Sequence, residues 1–304
     1  METTRAITLR LNIPDRLALA TLAALAAISA TTQPSPAILL ATIGAIAATI
    51  VALALWSTRS SLGKIAHDFS PLPVILALFE IMGPVVAGAN PRRWDATFAA
   101  IDVRWFARVA DLWRNVLGRP AWLTDGAYLA YVSFFVGPLV VAVALYRLPR
   151  RDHFKRYMLM LLSTFIAVWV GYVAFPTLGP RVPPALDAEV LGGSWISLAI
   201  RATLRVLERT VLDAFPSGHS AVSLIYVGYA WVHLPRWRVV LVVVEIALLF
   251  STVYLSMHYV VDVLSGALLA VAVAGTFRLS RRVRLLRSEG RHETAGLNDI
   301  SVTP

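Results

Sequence analysis

The feature that most limits what this chain can fold into is a series of apolar runs, each close to the length of a bilayer crossing. They cover about 17–30, 36–56, 71–89, 123–146, 157–175, 220–234, 239–257 and 259–277. A helix of about twenty residues rises about 30 Å, the thickness of the hydrocarbon layer. Most of the runs lack both the polar face of a soluble helix and the alternation of a half-buried strand. In lipid every backbone N–H and C=O must find its partner inside the chain, and a helix achieves this segment by segment. The expected fold is therefore all-α, a polytopic transmembrane helical bundle with about eight spans. Two runs, the first and the one after His219, reach full length only if their flanks are helical too.

Composition supports the same class. Hydrophobic residues make up 58% of the chain and charged residues 15%, against about 45–50% and about 25% in soluble domains. There is no cysteine, which excludes disulfides, thiolate metal sites and a cysteine nucleophile. The net charge of +10 would suit nucleic acid, but the basic residues are spread over short loops and the tail. They read as topology determinants and contacts to anionic membrane lipids, so no nucleic-acid partner is expected. The first run follows Arg5, Arg10 and Arg16 and resembles a signal peptide in length; a retained helix is preferred because the loop charges then balance. Both termini, the loops around Arg59 and Lys64, around Arg147 to Arg156, and around Arg236 and Arg238 would be cytoplasmic. The opposite face would be periplasmic in a bacterial inner membrane.

Two outer segments are too polar to span. Residues 102–117 place Trp105, Phe106, Val109, Leu112, Trp113, Val116 and Leu117 at helical spacing, with Arg104, Arg108, Asp111 and Arg114 elsewhere around the helix. That pattern predicts an amphipathic helix lying in the interface. Residues 194–212 form a second candidate, with Arg201, Arg205 and Arg209 four apart on one stripe. Snorkelling to lipid headgroups is the plainer role for those arginines.

Three stretches carry chemistry, all on the expected outer side. In Phe215-Pro216-Ser217-Gly218-His219-Ser220, Ser217 suits a helix cap and Gly218 admits close approach of a ligand to backbone. The amides of such a helix start would cradle an anion beside His219. His258 and Asp262 lie four apart, on one helix face, so the carboxylate can orient the imidazole and leave its other nitrogen basic. A packed, self-satisfied His–Asp pair is the plainer reading, but ionisable groups at membrane depth are costly to keep without a use. The third stretch, Phe175 to Pro184, is held out of helix by proline and glycine, and Arg181 offers a planar cationic fork for phosphate oxygens.

Together these stretches resemble the type 2 phosphatidic acid phosphatase superfamily. Its motifs are an arginine-bearing segment, Pro-Ser-Gly-His, and a Ser-Arg pair followed by His-x-x-x-Asp. Here they match Arg181, Pro216 to His219, and Ser251 with His258 and Asp262. The likeness covers roughly residues 95–277 and includes Trp94-Asp95 to Asp102. It looks most like the branch containing the inositol phosphorylceramide synthases. The chain has Ala174 where the superfamily has a lysine and Thr252 where it has an arginine, and that branch is known for looser motifs. Arg92, Arg93, Arg205 and Arg209 are candidates to replace the missing cations.

The resemblance implies a six-helix catalytic core within residues 91–278; the apolar runs place transmembrane helices in 1–90, and a basic stretch followed by a polar end without periodicity gives a basic, then disordered, tail in 279–304. The resemblance also implies that His258 attacks phosphorus, Asp262 orients it, and His219 serves as acid and then base. Arg181, Ser217, the Gly218 amide and Ser251 would hold the phosphate oxygens. No metal and no cofactor are required. The implied substrate is a lipid phosphate ester, and the acceptor is either water, in a lipid phosphatase, or a lipid alcohol such as ceramide or diacylglycerol, in a phosphotransferase. Glu80 and Glu245, inside apolar runs, motivate a rival class, a proton-coupled transporter, although an interhelical hydrogen bond is their default use. A metal site on His219, His258 and Asp262 is a third reading.

Overall fold

The first apolar run becomes a full-length helix because Asn12 starts it early. In the computed structural model, which describes residues 11–182, 187–208 and 210–300, Asn12 and Asp15 each accept the other's backbone N–H at 2.8 Å. This reciprocal cap precedes α1 (Ile13–Thr32). Asp15 also meets His67 Nε2 at 2.9 Å, tying α1 to α3 (Ser61–Phe69) across α2 (Ala37–Ser57). The chain continues through α4 (Pro71–Ala89), α5 (Asp95–Phe106), α6 (Val109–Leu117), α7 (Ala121–Tyr146) and α8 (Arg151–Ala174). It ends with α9 (Asp187–Leu191), α10 (Trp195–Leu207), α11 (Gly218–His233), α12 (Arg238–Tyr254) and α13 (Val260–Ile300). No strand occurs among the described residues.

Among the described residues, seven segments are long and apolar enough to cross a membrane: α1, α2, α4, α7, α8, Pro235–Tyr254 and Val260–Ser280. The eighth expected span is α11, and its flanks do not lengthen it beyond 16 residues. It is bounded by the Ser217 cap at its start and by Pro235 directly after its C-cap Leu234, a residue that disfavours helix in the one before it, and it packs against α7, α8, α12 and α13. Small residues let the neighbours close in. A Cβ on Gly266 of α13 would stand 2.3 Å from the Ser217 carbonyl oxygen, and the Ser220 hydroxyl donates to the Val263 carbonyl at 2.7 Å. Glu245 of α12 accepts from the Ser223 hydroxyl of α11 at 2.8 Å, the interhelical bond expected of it, whereas Glu80 is exposed. Large apolar side chains such as Val136, Val243, Leu268 and Val271 face outward, as lipid contact requires.

The two amphipathic segments depart from expectation. Residues 102–117 are not one helix, since Ala107 and Arg108 both take left-handed backbone angles, φ 48° and 52°, and separate α5 from α6. Nor does the charged side of α6 face water throughout. Arg114 is buried while Trp105, Leu112 and Val116 are exposed, so the apolar stripe looks outward and the arginine looks into the bundle. In α10, Arg201 is also buried, donating to the Tyr128 hydroxyl at 3.1 Å and to the Gly192 carbonyl. It braces the protein instead of snorkelling. Arg205 is exposed, and Arg209, Pro183 and Pro184 lie outside the described residues. The last helix runs past its apolar stretch to Ile300, over most of the expected disordered tail; residues 301–304 lie outside the described ones.

Candidate active site

Three segments far apart in sequence are knitted at one end of the bundle. The loop after α8 is held by α5: Trp94 N–H donates to the Pro176 carbonyl at 3.1 Å, and Asp95 accepts the N–H groups of Leu178 and Gly179 at 2.8 and 3.2 Å. Gly179 has φ +80°, and a Cβ there would meet Ala214 Cβ at 2.9 Å and the Met257 carbonyl oxygen at 3.0 Å. Only glycine fits that position without strain. The Ala214 N–H in turn donates to the Thr177 carbonyl at 3.1 Å.

The α12–α13 turn is fixed from several sides. Thr252, standing where the superfamily has arginine, accepts the N–H groups of Met257 and His258 on its carbonyl at 2.9 and 3.0 Å. Arg114 donates to the Tyr254 carbonyl at 2.8 Å and the Ser256 hydroxyl at 2.7 Å. Asp102 accepts the Val260 N–H at 2.9 Å, satisfying one of the orphan amides that begin α13. Burial pushes the Asp102 carboxyl above its ordinary range, and the Val260 amide partly offsets this.

This framework brings the two imidazoles together. His219 Nδ1 lies 3.2 Å from His258 Nε2, and the His219 ring packs between Tyr131 and Phe134, centroids 4.4 and 4.3 Å away. His258 Nδ1 is 3.0 Å from the Ala214 carbonyl oxygen. A carbonyl only accepts, so Nδ1 carries the proton and Nε2 presents its lone pair toward His219. Asp262 was expected to make the bond to the ring, but its Oδ2 is 3.7 Å from Nδ1, beyond hydrogen-bond range. That oxygen accepts the Tyr259 N–H at 2.8 Å, because Asp262 also stands in the first turn of α13, where amides compete for it. Its influence on His258 is that of a nearby buried charge, and its Oδ1 is buried with no partner among the described residues.

Arg181 joins the two rings. It donates to Asp213 at 2.5 Å and to the Thr210 carbonyl at 3.4 Å. Burial disfavours its charge, but Asp213 and Glu208 outweigh burial and raise its pKa. Arg181 Nε and His219 Nε2 are buried and make no hydrogen bond among the described residues, which leaves both able to bond a ligand in the cavity. Arg181, His219, His258 and Gly218 line one cavity of about 340 Å³. Away from this polar head its walls are apolar: Phe134 and Pro138 of α7, Phe165 and Trp169 of α8, Leu72 and Phe79 of α4. Its rim includes Leu76 and Leu139, 59% and 47% exposed on the outer surface of the bundle.

The remaining expected site residues sit elsewhere. Ser217 caps α11, its hydroxyl accepting the Ser220 N–H at 3.3 Å, and donates its own N–H to the Asp262 carbonyl at 2.9 Å. Ser251 turns its hydroxyl to the Leu248 carbonyl at 2.7 Å. Neither lines the cavity, and of the described Lys and Arg residues Arg181 alone does. Arg92 instead stacks on Trp94, 3.9 Å from the ring centroid. No group of three potential ligands among the described residues is arranged to hold a metal ion.

Two acids were missed in the sequence. Asp213 pairs with Arg181, and Glu208 lies 3.9 Å from His219 Nε2 while accepting the Tyr131 hydroxyl at 2.9 Å. Burial, reinforced by Asp213, pushes the Glu208 carboxyl up to about 7. The available signal was two carboxylates in the short segment between α10 and Pro216, at the same end of the bundle as both histidines.

A family model described as the PAP2 superfamily matches residues 96–276, which takes in α5 through the apolar part of α13. No curated protein and no solved structure matches the chain.

Proposed function

This chain belongs to the PAP2 superfamily, whose members are generally phosphatases or phosphotransferases, and from that premise we propose that it is an integral membrane enzyme moving a phosphoryl group from a lipid phosphate ester. The observation that carries this reading is a polar head, in which two imidazoles and one guanidinium stand with the carboxyls of Glu208 and Asp213, at one end of a cavity whose remaining walls are apolar and whose rim faces lipid. A soluble phosphate would not need such walls, whereas a tailed substrate places its phosphate at the head and its chain along α4, α7 and α8.

In the proposed reaction the phosphate replaces the direct contact between the two rings. His258 Nε2 attacks phosphorus, the bond to the leaving oxygen breaks, and protonated His219 gives that oxygen its proton. Neutral His219 then takes a proton from the acceptor hydroxyl, whose oxygen attacks phosphorus and breaks the P–N bond. Arg181 and the Gly218 amide hold the equatorial oxygens, each such donor worth about 3 kcal/mol in the transition state. The Ala214 carbonyl fixes the His258 tautomer, and Asp262 favours the charge that develops on the ring. Ser217 and Ser251 support these groups through capping and helix geometry.

The apolar walls favour a lipid alcohol over water as acceptor, as in an inositol-phosphorylceramide-synthase-like transferase. The distribution of basic residues supports cytoplasmic termini and a site on the opposite, periplasmic face of a bacterial inner membrane. The test offers the purified protein a panel of phospholipids with and without ceramide or diacylglycerol, and follows inorganic phosphate and new lipid species. Product from the native protein and none from His258→Ala is expected. Equal turnover by His258→Ala on every accepted lipid would refute the proposal.

A further inference from the structure

A second cavity lies at the other end of the same helices. It measures about 550 Å³ and is lined by Arg150, His153 and Arg156 of the α8 start, by His233 at the end of α11, and by Phe277 and Arg278 of α13. His219 and His233 are fourteen residues apart on α11, a separation of about 21 Å at 1.5 Å per residue. A ligand held here cannot be the one between the catalytic imidazoles.

The lining is amphiphilic. Leu224, Ile225 and Val232 of α11 supply an apolar wall, and Val232 is 60% exposed on the outer surface of the bundle, so the cavity opens sideways to lipid. Across from that wall, Arg150, Arg156 and Arg278 face a single lining carboxylate, Asp152. Arg156 donates to the Phe277 carbonyl at 2.6 Å, which ties α8 to α13. None of the three arginines forms an ion pair with a described residue. The His153 and His233 rings pack at a tilt of 37° with centroids 4.1 Å apart, and the Tyr229 hydroxyl donates to the His153 carbonyl at 2.9 Å. Unpaired cations beside an apolar, lipid-facing opening fit a molecule with an anionic head and a hydrocarbon body. The volume falls within the range of ligand pockets, about 300–1,000 Å³.

We propose that this cavity is a structural binding site for an anionic phospholipid, its headgroup phosphate on Arg150, Arg156 and Arg278 and its chain along Leu224 and Val232. The site is separate from catalysis and clamps the ends of α8, α11 and α13. It draws its ligand from the leaflet that the basic loops select, the one rich in anionic lipid.

The full chain is reconstituted in nanodiscs of phosphatidylcholine with a minor share of phosphatidylglycerol, and lipid retained after transfer to detergent is counted by native mass spectrometry. Retention of phosphatidylglycerol over phosphatidylcholine is expected for the native protein. Arg150→Gln with Arg278→Gln removes two cations that have no hydrogen bond or ion pair to the described protein, and retention should fall on the order of tenfold. A control, Lys155→Gln with Arg236→Gln, removes the same charge from the same end outside the cavity and should retain lipid like the native chain. Helix content and basal turnover confirm that each variant is folded. Equal losses in both doubles, or no preference for phosphatidylglycerol, would overturn the site. Displacement of the lipid by millimolar inorganic phosphate would also overturn it, by showing a site for a free anion.

Discussion

Helices α2 and α11 solve opposite problems with opposite compositions. The 21 residues of α2 are almost all apolar, yet it buries only Ile43, Ile50 and Ala54. The 16 residues of α11 include two serines, two glycines and two histidines, yet most of the helix is buried, Ser220, Ser223 and Gly218 among them. In lipid, apolar surface is the outside of a bundle, and small or hydrogen-bonding residues mark where helices meet. The more hydrophobic helix is therefore the peripheral one, and His219, which lines the cavity, stands on the helix with the weaker hydropathy signal.

The contrast breaks first at the head of α11. His219→Ala should lower turnover by about a thousandfold, the usual worth of a positioned acid or base, with the melting temperature in detergent nearly unchanged. A loss of folding together with activity would make His219 a packing residue. Next come two glycines of the same type in opposite settings. Gly266→Ala drives a methyl into the Ser217 carbonyl of α11 and should cost about 1–3 kcal/mol, with a matching loss of activity as α11 shifts.

An effect of comparable size, spread over a pH window, sharpens what surrounds α11. The Glu208 carboxyl is raised to about 7 from an ordinary 4.5, so the folded state holds its proton where the unfolded chain has lost it. Stability contributed by this group is complete below about pH 4.5 and falls as pH rises toward about 7. The melting midpoint should decline over that window, and Glu208→Gln should flatten the decline. The smallest effect belongs to Gly44→Ala on α2, where nothing lies within 4 Å of the added methyl; a change within about 0.5 kcal/mol is expected.

Much of this was legible because the relevant signal was local. Twenty-residue apolar runs announce spans, and His219, His258 and Arg181 stood out as polar groups at the mouths of such runs. The break between α5 and α6 was hidden, since left-handed backbone at Ala107 and Arg108 leaves no glycine to mark it. Helical spacing correctly put Arg114 on the charged side of α6 but gave no sign that this side turns inward to Ser256. Asp262 shows the limit of spacing as a guide: four residues from His258 places the two side by side, but only the start of α13 reveals the amide that claims the carboxylate. Glu208 and Asp213 stand together in one short segment, which marks them as a pair, but their roles come from neighbours distant in sequence, Tyr131 and Arg181, that no spacing along the chain reveals.

The rim at Leu76 and Leu139 changes how the rate of the proposed reaction should be expressed. A tailed molecule reaching the histidines through that opening never dissolves in water on the way. The quantity that saturates the proposed site is then its mole fraction in the surrounding bilayer, so diluting it with inert lipid at fixed bulk amount should slow turnover as surely as removing it.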